Sequence, residues 1–120
     1  MKTKRALYMA IMALVVGIAH ADVPISVYRQ AVAIGQVQQA FGKYIVGVGK
    51  GIFWANIVMK LQGRKPLFCL PKELALNQDN YISLLDQELK SPTDPQRHYS
   101  SDTPIELVLV QALEHTFPCK

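Results

Sequence analysis

Residues 34–59 read IGQVQQAFGKYIVGVGKGIFWANIVM. Within them apolar side chains recur at Ile34, Val37, Phe41, Ile45, Val48, Ile52, Ala55 and Met59, in steps of three and four, with no sustained period-two alternation. That spacing lays one apolar stripe along a helix rather than a strand. The helical segment extends over about residues 25–61. Pro24 sets its beginning and Ser26 is the expected N-cap. Gly63 and Pro66 end it, with Lys60, Arg64 and Lys65 near the negative end of the helix dipole. One helix of this length would lie in the long tail of the length distribution. A break is therefore expected, at Gly35 or within Gly47-Val48-Gly49-Lys50-Gly51.

The glycines do not make a phosphate loop. Their spacing is neither G-x-G-x-x-G nor G-x-x-x-x-G-K-[ST], and no strand leads into them. Gly47, Gly51 and Ala55 share one helix face, and Gly35, Gly42 and Gly49 recur every seven residues on a neighbouring one. Small residues cost helix propensity and admit a close neighbour. The expected neighbour is another helix; a functional variant is that these small residues form a groove that receives the chain's own C-terminal helix or a second subunit.

Beyond Pro66 the piece LFCLPKEL reads as extended. A second helix is expected at about residues 77–90, capped by Asn77, with Tyr81, Leu84, Leu85 and Leu89 on one face. Asp86 and Glu88 fall on different faces and read as solvated charges. Residues 91–104, SPTDPQRHYSSDTP, form a long polar loop. A last helix follows, capped by Asp102 or Thr103, with Pro104 first and a stripe of Ile105, Val108, Leu109, Ala112 and Leu113. The fold class is all-α, a small single-domain bundle of about four helices.

The chain begins MKTKRALYMAIMALVVGIAHADVP. Lys2, Lys4 and Arg5 make a basic start, residues 6–19 carry no charge, and Ala19-His20-Ala21 is a small-x-small cleavage pattern. This is the pattern of a secretory signal peptide, residues 1–21, cleaved after Ala21, with residues 22–120 as the exported domain. The apolar run is shorter than the roughly 20 residues a membrane span needs. Membrane contact is thus expected only through the export signal. The short basic start looks bacterial, and the destination is periplasmic or extracellular. Three of the 13 Lys and Arg leave with the signal, so ten face nine Asp and Glu. A near-neutral domain without a basic run interleaved with aromatics is not expected to bind nucleic acid.

Two cysteines in an oxidising compartment predict one disulfide, Cys69–Cys119, which would staple the end of the last helix to the middle of the chain. The competing uses of these residues are weaker. Cys69 as a nucleophile with His98 or His115 as base conflicts with the even cysteine count. His115 and Cys119 stand four apart, but Pro118 breaks the helix between them, so no metal site is expected. No G-x-S-x-G or H-E-x-x-H pattern occurs, and neither an enzyme nor a cofactor is expected. For partner binding the loop stands out, because binding residues concentrate on loops held by rigid supports. Its candidates are Asp94, His98, Tyr99 and Asp102.

Several short segments together carry a resemblance. They are Tyr44-Ile45-x-Gly47-x-x-x-Gly51, Phe68-Cys69-Leu70-Pro71, Leu85-x-x-x-Leu89-x-x-Pro92 and Ala112-Leu113-x-x-x-Phe117-Pro118-Cys119. In this order they resemble the Rap/Tai family of periplasmic immunity proteins against type VI secretion amidase effectors. The chain departs from that pattern at Phe41-Gly42-Lys43, where similar chains often carry a further cysteine, and at Gly49-Lys50-Gly51, where they tend to carry Asp-Gly. The resemblance implies a peptidoglycan amidase as protein partner, occlusion of its cleft, and a possible homodimer. The alternative is an acid-stress periplasmic chaperone of the HdeA type, which is also small, helical and disulfide-bonded.

Overall fold

The computed structural model describes residues 22–90 and 99–120. Among them lie four helices and no strand: α1 (Ile25–Ala33), α2 (Val37–Leu61), α3 (Gln78–Lys90) and α4 (Ile105–Thr116). The signal segment, Asp94 and His98 lie outside the described residues.

The break in the first helical segment falls at Gly35. Its φ of +67° is one that L side chains rarely adopt. The Gly35 N–H donates to Val32 O at 3.1 Å and the Gln36 N–H to Ala31 O at 2.9 Å, the paired bonds of a Schellman motif. Gly63, with φ +70°, ends α2 in the same way, donating to Lys60 O while Arg64 donates to Met59 O. The glycine run at 47–51 breaks nothing, and α2 passes through it.

Neither α1 nor α4 is capped by a side chain. The sequence suggested Ser26 for α1 and Asp102 or Thr103 for α4; the N-cap positions are instead Pro24 and Pro104. These two prolines face each other in an antiparallel bridge. The Ile25 N–H donates to Thr103 O at 2.9 Å, the Ser26 N–H to Ser101 O at 3.0 Å, and the Ile105 N–H to Val23 O at 2.9 Å. Each helix start thus borrows backbone carbonyls from the segment leading into the other, which satisfies donors that a side-chain cap would otherwise take. At α3 the expected cap is present: Asn80 N–H donates to Asn77 Oδ1 at 2.9 Å, and Asn77 N–H to Asn80 Oδ1 at 3.0 Å.

The core is built around α4, whose stripe Ile105, Val108, Leu109, Ala112 and Leu113 is buried throughout. Tyr81, Leu84 and Leu85 of α3, Ile45 of α2, and Ile25 and Tyr28 of α1 complete it with Phe68. Leu85 lies with Ile105 and Leu109, and one turn further along Glu88 meets His115. Helices α3 and α4 therefore advance side by side in the same sense.

On α2 only part of the expected stripe is in the core. Ile45 is buried, and Val37, Phe41, Val48 and Ile52 pack against the core, whereas Ile34 and Ala55 are exposed. The face pressed against the protein is marked by Gly42, Gly49 and Asn56, seven residues apart. A Cβ on Gly49 would lie 2.5 Å from the Tyr81 ring and one on Gly42 2.6 Å from the Gln78 side chain. The close neighbour is thus α3. Gly47 and Gly51, also expected to admit a helix, have open space in front of them.

Candidate functional site

The outer half of α2 carries apolar surface that the fold leaves uncovered. Trp54 is 62% exposed, Val58 45% and Leu61 81%. By length and composition α2 could cross a membrane, and only 17% of its most apolar window is buried. Beside this face runs the segment 66–76, and between them lie two adjoining grooves of about 360 and 270 Å³. Both are lined by Phe53, Leu70 and Leu74. Lys50 borders the first groove, and Lys60 and Lys72 border the second.

The groove is held open by fixed backbone. Asn56 is 7% exposed and aims at the 66–70 segment. Its Nδ2 donates to Phe68 O at 2.9 Å, and its Oδ1 accepts from Leu67 N at 2.7 Å and from Phe68 N at 3.4 Å. An amide is suited to this place because it both donates and accepts, as a peptide group does. Phe68 is buried beneath the segment. On its far side the Cys69 N–H donates to Phe117 O at 2.8 Å, and Cys69 is bonded to Cys119 with a Cα–Cα distance of 5.0 Å. The disulfide expected from the sequence is therefore present, and both cysteines are committed to it.

Lysines outnumber acids at the groove: Lys50, Lys60 and Lys72 line it, and Glu73 is the acid that the 66–76 segment carries next to Lys72. A surface of this kind, with an aromatic centre and a cationic rim, can seat an apolar anchor of a protein partner flanked by carboxylates. Among the described residues no group of three or more His, Cys, Asp or Glu is arranged to hold a metal ion.

The loop candidates occupy other places. Tyr99 is half-buried, and its hydroxyl donates to Glu88 Oε1 at 2.7 Å beside the Gln111 side-chain amide. His115 Nδ1 lies 3.0 Å from the same Glu88 oxygen. Tyr99 thus braces the end of the loop against α3 and α4. Asp102 is exposed on the turn between Ser100 and Thr103.

Glu88 overturns its reading as a solvated charge, being 5% exposed among these partners. Its signal was legible: Tyr81, Leu84, Leu85 and Glu88 follow one helical stripe. Asp86 is also engaged, accepting a 2.7 Å bond from the Tyr28 hydroxyl. Burial first, then that bond and the Asp86 charge, push the Tyr28 hydroxyl far above its ordinary range. The groove itself was missed. Its sequence signals were the adjacent aromatics Phe53 and Trp54 off the main stripe, with Lys50 and Lys60 to either side on the same helix.

The fold and surface define a class, a disulfide-stapled helical domain presenting an apolar, cation-rimmed groove. Compared with protein families, curated proteins and solved structures, the chain matches none.

Proposed function

We propose that this chain is a periplasmic immunity protein, exported by its first 21 residues, that binds a type VI secretion peptidoglycan amidase and blocks its cleft. The observation that carries this reading is where the most specific parts of the resemblance lie. Phe68-Cys69-Leu70-Pro71 and Phe117-Pro118-Cys119 are joined by the disulfide, and the first of them walls the groove beside Trp54. Tight protection needs a surface organised before binding more than it needs area. A wall fixed by Asn56 and by the disulfide meets that need, and a disulfide suits an oxidising compartment.

The test is affinity for the amidase encoded beside this chain's gene, measured by calorimetry. Trp54→Ala should weaken binding by at least about 2 kcal/mol, the threshold of a hot spot, while circular dichroism and thermal unfolding stay unchanged. No binding by the wild-type chain would refute the immunity reading. Binding unaffected by Trp54→Ala would move the contact away from the groove. Suppression of client aggregation only at acid pH, with no amidase bound, would favour the HdeA-type alternative.

A further inference from the structure

Where α1 and α4 begin side by side, a carboxylate is only half used. Glu106 Oε1 accepts the Val23 N–H at 3.1 Å and the Tyr44 hydroxyl. Glu106 Oε2 is buried and has no hydrogen-bond partner. Around Tyr44 and Glu106 the walls are apolar: Ile45, Val48, Leu85, Ile105 and Leu109. A carboxylate oxygen enclosed in such a place is costly unless a donor or a cation meets it. The charge nearby has the wrong sign to do so. Burial first, then the Glu106 bond and charge, and last the charge of nearby Asp22, push the Tyr44 hydroxyl up to about 12. Among the described residues no lysine, arginine or histidine pairs with Glu106.

We propose that Glu106 is a binding site for a primary ammonium, the chain's own N-terminus, created when the segment before Asp22 is removed. The inference rests on the reading that cleavage follows Ala21. Hydrolysis of the Ala21–Asp22 peptide bond by a signal-peptidase-class protease consumes one water. It leaves a carboxylate on Ala21 and an ammonium on Asp22. Val23 N–H already bonds one oxygen of Glu106, and the nitrogen of Asp22 is the next along the chain. Successive backbone nitrogens can cradle a single anionic group, so the second oxygen is in reach of the new ammonium. The three protons of that ammonium rotate freely, whereas the single peptide N–H of the uncleaved chain has a fixed direction.

The pairing has a consequence for export. In the precursor, Glu106 Oε2 is buried without a partner at the junction that starts two helices. Cleavage supplies the cation and ties residue 22 to α4. The fold becomes most stable only after the leader has gone, which suits a chain that must cross a membrane unfolded.

The test compares the exported chain beginning at Asp22 with a form that retains Ala21 and with the Asp22 form acetylated at its N-terminus. The titratable groups around the ammonium are Glu106 of α4, Tyr44 of α2 and the carboxylate of Asp22, with Asp102 exposed on the turn before α4. The Asp22 form should have the highest midpoint of thermal unfolding. Its α-amino group should titrate at least about one pH unit above the ordinary range near 8, and react about tenfold more slowly with an acylating reagent near neutral pH. Glu106→Gln keeps an acceptor for Val23 and Tyr44 and should abolish both the stability difference and the slow reaction. An Asp22 form with ordinary amine reactivity, or a stability difference that survives Glu106→Gln, would overturn the site alone. N-terminal sequencing that finds a start other than Asp22 would overturn the cleavage reading and this inference with it.

Discussion

Replacing Asn56 by alanine tests whether the groove wall is hung from α2 by one side chain. The substitution removes the acceptor for Leu67 N–H and Phe68 N–H and the donor to Phe68 O. Leu67 is 43% exposed, so water can take over its N–H. Phe68 is 1% exposed, and its N–H and C=O would both be stranded. Each stranded group costs about 1–3 kcal/mol, so a loss of about 2–4 kcal/mol is expected after some relaxation. With a urea dependence of about 1–3 kcal/mol per molar for a domain of this size, the unfolding midpoint should fall by roughly 0.7–4 M. Equilibrium unfolding followed by Trp54 fluorescence is the assay, since Trp54 is the sole tryptophan and lies on the groove. A loss below about 1 kcal/mol, the worth of one ordinary hydrogen bond, would refute the argument. It would mean that the disulfide and the packing of Phe68 hold the segment without Asn56.

Gly49→Ala should destabilise by about 1–3 kcal/mol, because its Cβ would meet the Tyr81 ring at 2.5 Å in a packed core. Gly51→Ala has open space and should instead stabilise α2 by up to about 1 kcal/mol; paired thermal unfolding curves check both signs. Cys69→Ser or Cys119→Ser, by opening a loop of sequence separation 50, should cost about 2–4 kcal/mol in the same measurement. At alkaline pH, Tyr28, Tyr44 and Tyr81 are all raised above their ordinary value of 10.0 by burial, with carboxylate neighbours adding to the first two. A raised folded value contributes stability that is complete below pH 10 and lost above it, for Tyr44 through about pH 12. Unfolding and tyrosinate absorbance should therefore rise together in that window; tyrosines ionising near pH 10 in a still-folded chain would contradict it.

The four helices and the buried stripe of α4 were legible because periodicity alone specifies them. The cysteine pair was legible from the even count together with the expectation of export. What was hidden depends on neighbours distant in sequence. Ser26 looked like an N-cap, but the carbonyls of Ser101 and Thr103 reach the first turn of α1 and make a side-chain cap unnecessary. Of the glycines on α2, Gly42 and Gly49 admit α3, while Gly47 and Gly51 face open space. Both sets read from sequence as small-residue faces that can admit a helix, so only the path of α3 separates them. Tyr99 stood out as an aromatic amid small polar residues, and the structure adds that Glu88 and Gln111 meet its hydroxyl. A lone aromatic in a polar loop reads the same from sequence whether it anchors the loop inward or a partner outward.

The two ends of α4 carry different attachments, and the difference explains how an apolar groove survives. At its N-terminus α4 is joined to α1 through backbone bonds around Pro24 and Pro104, within the main core. At its C-terminus Phe117 O and Cys119 hold the Cys69 segment, which Asn56 fixes to α2 from the other side. Phe68 anchors the segment in the core, and Leu70 and Leu76 pack against it, yet burying exposed aromatic surface is favourable and would draw the segment towards Phe53 and Trp54. A covalent bond on one side and a buried amide on the other restrict that movement without filling the groove. The wall is thereby kept at a distance from the outer half of α2, which retains exposed Trp54, Val58 and Leu61. The disulfide therefore has a second role beyond limiting the unfolded chain: it positions the surface on which the proposed binding depends.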